Sequence, residues 1–206
     1  MRNALLKLFI SVVPILIVFV SGCTGADDMR QTGVKGKSAL LIIASQNFRD
    51  EEYFDTKKVL EQRGVLVTTA SKKAGHVRGM LGGTANASLG LADVNAGDYD
   101  AVVFIGGSGA QEYFNDSVAH DIAQSANEGG KVVAAICIAP VILAKAGLLE
   151  GKKATCFDGV YSSQLESMGA LFTSEDVVID GNIITANGPA AARDFGNAIV
   201  RSLEEK

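Results

Sequence analysis

The stretch that most constrains this chain is Val132-Val-Ala-Ala-Ile-Cys-Ile-Ala-Pro140. Val132 to Ile136 is a run of β-branched and small apolar residues, the pattern of a strand buried on both faces. Ala139 to Lys145 then reads as a helix with Pro140 in its first turn, where the missing N–H has no partner to lose. Cys137 falls between the two, on a sharp strand-to-helix turn that lifts its sulfur clear of the sheet. Such a strained turn closes only between small residues, and the flanks here are Ala135 and Ala139. N–H groups at the helix start and the helix dipole favour a thiolate, so the turn predicts a lowered thiol pKa. A cysteine that merely fills a core strand lacks this punctuation on both sides.

The remaining apolar runs extend the same alternation. Ser38 to Ala44 is a strand, and a helix opens at Asp50 or Glu51 and stops at Arg63-Gly64. Val65 to Ala70 is the next strand, followed by a Gly-rich, irregular hairpin region from His76 to Leu91. Asp100 to Ile105 runs into Gly106-Gly107-Ser108-Gly109, and helical stretches follow to Asn127 and a Gly129-Gly130 stop. The elbow helix closes at Ala146-Gly147, and Thr155 lies in a short strand. Val177 to Thr185 gives two strands joined at Asp180-Gly181-Asn182, and Ala190 to Leu203 is a closing amphipathic helix. Strands alternating with helices at this spacing predict right-handed crossovers and a parallel sheet covered on both faces. Ligand crevices in such sheets lie at the carboxyl ends of the strands. There the acidic pair Glu51-Glu52, the Gly106-Gly107 turn and Cys137 should meet. A Gly pair allows close backbone approach and aims N–H groups at an oxyanion. No P-loop Lys accompanies the glycines, which argues against nucleotide binding.

The N-terminus reads as a targeting segment. Arg2 and Lys7 precede a continuously apolar or small run from Leu8 to Val20, shorter than the ~20 residues of a membrane span. Val20-Ser21-Gly22-Cys23 resembles the lipobox of prokaryotic lipoproteins, which implies cleavage after residue 22 and lipid on the Cys23 thiol. Residues 23–37 then read as a polar, Gly-containing tether, and 38–206 as the domain. Residues 1–22 hold two basic and no acidic residues, so removing them takes the formal net charge from −4 to −6. That balance, with no basic cluster, excludes a nucleic-acid partner.

Several pieces together resemble the ThiJ/PfpI (DJ-one) family of the class I glutamine amidotransferase-like superfamily. They are Asp50-Glu-Glu52 ahead of Leu60-Glu-Gln-Arg-Gly64, Tyr99 through Gly107, Ala135-Ile-Cys-Ile-Ala-Pro140, Ala146 through Thr155, and Ile184-Thr-Ala-Asn-Gly-Pro189. The resemblance implies a flavodoxin-like three-layer α/β sandwich, mostly parallel, that pairs with a second copy and needs no metal or cofactor. It assigns Cys137 as nucleophile or redox centre and Glu52 as the carboxyl beside it. Gly106, Gly107 and the Ile138 N–H become the oxyanion site.

The chain also departs from that pattern. Protease-like members carry His directly after the nucleophile, where Ile138 stands here. Glyoxalase-like members carry a His after the Ala-Thr strand, where this chain reads Cys156-Phe157-Asp158. Its two histidines, His76 and His120, both precede Cys137. The resemblance therefore implies a stress-related redox sensor or protective protein first. A glyoxalase or deglycase acting on carbonyls such as methylglyoxal comes second, and a cysteine peptidase last. The expected partners are a small carbonyl or oxidant, and a membrane through the lipid anchor. Cys156, at a strand end that the family places near the nucleophile, is a candidate resolving thiol for a sulfenic acid on Cys137. Lipidation predicts that wild type incorporates labelled fatty acid in cells and that Cys23→Ala does not; equal labelling of the two would remove the lipid from the account.

Overall fold

The computed structural model describes residues 33–206. The signal segment 1–22, the Cys23 lipid site and most of the 23–37 tether lie outside the described residues. Packing of the domain already includes Val34, which is fully buried, and the Gly36 N–H reaches the Gly64 carbonyl at 3.3 Å.

The apolar runs assemble into one seven-stranded sheet. In chain order its strands are β1 (Ser38–Ile42), β3 (Leu66–Ser71), β6 (Leu89–Gly90), β7 (Ala101–Phe104), β8 (Val132–Ile136), β11 (Val177–Asp180) and β12 (Ile183–Ala186). They lie in the order β11-β12-β8-β7-β1-β3-β6, all parallel except β11, which pairs antiparallel with β12. The hairpin turn between them carries Gly181 at φ 65°. Every residue of β7 and β8 is fully buried, as continuous apolar runs with no polar face require.

Helices cover the sheet. α1 (Asp50–Gln62) packs against α5 (Ala192–Glu204), while α2 (Ser117–Glu128) packs against β8 and α3 (Pro140–Lys145). α1 and α5 approach closely at Gly196, where an added Cβ would stand 2.9 Å from Val59 Cβ. A short helix, α4 (Val160–Ser167), leads to β10 (Leu171–Phe172), which pairs with β9 (Lys153–Ala154) outside the main sheet. The irregular hairpin region resolves into β4 (Gly75–Gly79) and β5 (Thr84–Ala87), antiparallel as expected. It is joined by β2 (Gln46–Phe48), which the sequence pattern does not reveal, in a separate three-stranded sheet. That small sheet places a hairpin turn, residues 80–83, beside the carboxyl end of β1.

The close α1–α5 contact predicts that Gly196→Val destabilises the protein by about 1–3 kcal/mol, because Val59 and the Thr56 backbone leave no room for the new side chain. Denaturant unfolding measures this, and an unchanged midpoint would contradict the packing.

Candidate active site

β8 ends at Cys137, whose φ of 64° is left-handed, a conformation that strains a non-glycine residue by about 1–3 kcal/mol. Its backbone is held from both sides. The Cys137 N–H donates to the Ala186 carbonyl of β12 at 2.8 Å, and its carbonyl accepts the Phe157 N–H at 2.8 Å. Ala135 and Ala139 are fully buried, so the small flanks are needed by the packing as well as by the turn. Cys137 itself is 7% exposed.

Beside it stands Glu52, on the first turn of α1 and fully buried. Its Oε2 accepts the Gly106 N–H at 3.0 Å, while Oε1 makes no hydrogen bond within the described residues. Gly106 is required here, since a Cβ would sit 2.6 Å from both the Cys137 Cβ and Glu52 Oε2. Gly107 is required for a second reason. Its φ is 96°, and a Cβ would stand 2.6 Å from the Phe48 carbonyl carbon. The backbone N–H groups of Gly107 and Ile138 lie near enough to the sulfur to favour its ionised form. The residues expected to converge thus do so: Cys137, Glu52, Gly106, Gly107 and Ile138 share one crevice.

The electrostatics differ from expectation. Burial raises the Glu52 carboxyl from 4.5 to about 7, against weaker opposing effects from the Cys137 thiol, the Gly106 N–H and the Arg49 cation. Burial, and then the Glu52 charge, push the Cys137 thiol from 9.0 to about 12, against the Gly107 and Ile138 N–H groups. The helix start was expected to lower the thiol pKa, and the structure overturns this. Pro140 has no N–H, and those of Ala139 and Val141 are consumed inside the turn by the Ile136 and Ile138 carbonyls at 3.1 and 3.2 Å. Of the helix start only the Ile138 N–H remains for the sulfur, and α3 is six residues long. The Glu52 repulsion acts only while Glu52 is ionised, so the pair gives up its first proton near neutrality and holds its second tightly.

A pocket of about 300 Å³ opens above the sulfur. Arg49, Met80, Phe157 and Tyr161 form its walls. Met80 arrives on the 80–83 turn, which Asp50 pins by accepting the Leu81 and Gly83 N–H groups at 2.8 and 2.7 Å. Tyr161 of α4 is steadied by Gln111, whose amide donates to its hydroxyl at 3.2 Å. Phe157 is the residue that follows Cys156, in the region where a family histidine was expected. No histidine lines the pocket: His76 is exposed on β4, and His120 bonds the Phe114 carbonyl through Nε2 at 3.1 Å.

Cys156 is 1% exposed and lines a neighbouring cavity of about 430 Å³ that shares Phe157 and Pro189 with the first. Its thiol points to the Phe157 carbonyl at 3.4 Å, and burial followed by the Asp158 charge raises it to about 12. No three His, Cys, Asp or Glu side chains cluster as metal ligands among the described residues. Sequence reasoning missed Arg49, Met80 and Tyr161. Of these only Arg49 left a signal, an arginine directly before the acidic first turn of a helix.

A raised carboxyl pKa means that the folded state binds this proton more tightly than the unfolded chain does. The contribution is present below pH 4.5 and lost as pH rises through about 7, a swing of about 3 kcal/mol. Unfolding free energy should therefore fall by about that amount across this window in wild type relative to Glu52→Gln, which cannot titrate. Parallel pH profiles for the two would contradict the assignment.

Comparison with known proteins places the chain in a family. An uncharacterized protein of Methanocaldococcus jannaschii is 37% identical over 95% of this chain and 97% of its own. A deglycase of Pyrococcus abyssi is 33% identical over 80% of this chain and 99% of its own. The crystal structure of a ThiJ/PfpI domain protein from Brachyspira murdochii superposes with a TM-score of 0.81 at 38% identity, covering 84% of this chain and 99% of that one. Residues 37–202 match the DJ-1/PfpI family, and the chain belongs to that family.

Proposed function

We propose that the protein removes small reactive carbonyl compounds through Cys137, in a glyoxalase- or deglycase-type reaction. One observation carries this reading: Glu52 keeps a buried, unpartnered Oε1 beside the thiol and titrates near 7. A general base works best when its pKa lies near the operating pH. The size of the pocket points the same way. About 300 Å³ of largely apolar space exceeds what a peroxide molecule needs and suits a small organic substrate. Similarity to a Pyrococcus deglycase adds support.

The steps follow from these groups. Ionised Glu52 takes the thiol proton as the sulfur adds to an aldehyde carbon, so the resting thiol need not be ionised. The carbonyl oxygen gains the charge, held by the Gly107 and Ile138 N–H groups, and takes the proton back from Glu52 to give a hemithioacetal. For a 1,2-dicarbonyl, Glu52, ionised again, then moves the proton from C1 to C2 while the C1 hydroxyl proton passes to the C2 oxygen, which yields a thioester of the 2-hydroxy acid. Water hydrolyses the thioester and restores the thiol.

A second reading is favoured by Cys156-Phe157-Asp158 standing in the region where glyoxalase-like members carry a histidine. Without that base the site would serve as a redox sensor, with sulfinate oxygens on Cys137 held by protonated Glu52 and the two N–H groups. Methylglyoxal turnover, followed as lactate formed, separates the two. Wild type should turn over, Cys137→Ser should not, and Glu52→Gln should lose at least about a hundredfold. A wild type that forms no lactate but accumulates sulfinic acid on Cys137 under mild peroxide would overturn the carbonyl reading.

A further inference from the structure

Arg49 has no part in the steps above, yet its placement is unusual. It occupies the N-cap position of α1 and makes no side-chain capping bond. Arginine is a poor cap, and a cation at a helix N-terminus opposes the helix dipole. Local rules broken without a local gain mark functional positions.

The surroundings hold Arg49 in place. Asn47, two residues earlier, adopts a left-handed φ of 58° that turns the chain towards the site. The Arg49 N–H donates to the Gly106 carbonyl at 3.0 Å, and its carbonyl accepts the Tyr53 N–H at 3.1 Å. Its backbone is thus tied to the same glycine turn that holds Glu52. Glu51 orients the guanidinium, accepting from Nε at 2.8 Å and Nη2 at 3.1 Å. A guanidinium has five N–H donors, so three remain. Among the described residues, Arg49 is also the one cation lining the Cys137 pocket.

We propose that Arg49 is a specificity residue that binds a carboxylate on the substrate, so that 1,2-dicarbonyl compounds carrying a further carboxylate are preferred over neutral ones such as methylglyoxal. This rests on the carbonyl reading for its substrate. The anchoring itself is a property of the pocket. The guanidinium shares its outer N–H groups with the incoming carboxylate while Glu51 holds the inner edge, which leaves the carbonyl over Cys137. A two-pronged grip of this kind fixes orientation as well as charge.

The test uses two alkylating agents of nearly the same shape, iodoacetate and iodoacetamide. Their rates at Cys137 are measured by peptide mass spectrometry at about pH 10, where the thiol is partly ionised and arginine remains charged. Each acetate-to-acetamide ratio is divided by that of a free thiol. The ratio in wild type should exceed that in Arg49→Gln by about fivefold at low salt and shrink as salt is added. Arg49→Lys, which keeps the charge and loses the fork, should fall between. Equal ratios in wild type and Arg49→Gln, with both folded by circular dichroism, would reduce Arg49 and Glu51 to a surface ion pair. Alkylation needs no turnover, so a failed lactate assay with an intact ratio would sink the carbonyl reading and leave the anchor standing.

Discussion

The site depends on one buried carboxyl. Glu52 has no exposed surface, one N–H partner and an oxygen with none. Desolvation of that kind makes the charged form expensive, which is why its proton leaves only near neutrality. Keeping the carboxyl there requires Gly106, because any side chain would strike both Glu52 and Cys137. It also requires the first turn of α1 to be pressed against the end of β7, which the Arg49–Gly106 backbone bond accomplishes. The strained turn at Cys137 is the matching half. β12 on one side and the segment after β9 on the other hold its backbone, so the sulfur cannot relax away from the acid.

Proximity of the two groups shapes the chemistry more than the helix dipole does. The charge on Glu52 works against a standing thiolate, and the pair stores one labile proton between carboxyl and sulfur. A thiol that stays protonated at rest is shielded from adventitious oxidation. It becomes nucleophilic only when Glu52 accepts its proton during attack. The walls that choose the substrate come from elsewhere: a hairpin turn clamped by Asp50, the α4 tyrosine, and Phe157.

Much of this was legible in the residues. Val132–Ile136, Cys137 and Pro140 read directly as strand, turn and helix, because continuous burial and a first-turn proline leave few alternatives. Gly64, Gly107 and Gly147 mark turns by their positive φ, and each sits just past the end of a helix or strand. Other elements were hidden. β2 has three residues, two of them exposed, and gains its identity from pairing with β4. α4 reads Val-Tyr-Ser-Ser-Gln-Leu-Glu-Ser, with no apolar stripe, and is capped by Ser162 and Asp158 in ways that periodicity cannot show. The thiol pKa was misjudged because a sequence cannot reveal how deeply the sulfur is buried or that the Glu52 charge stands against it. Tyr161 reaches the pocket through α4 and Met80 through the turn between β4 and β5, and neither left a trace of its role.

The central claim is that Glu52 holds a proton beside Cys137 close to neutral pH. Infrared spectroscopy of protein carrying isotope-labelled glutamate tests it directly, as the difference between wild type and Glu52→Gln across pH. The account predicts a protonated-carboxyl band, absent from Glu52→Gln, that disappears with a midpoint near 7. A band that vanishes near 4.5, as for a carboxyl in water, would show that burial does not govern this group and would contradict the account.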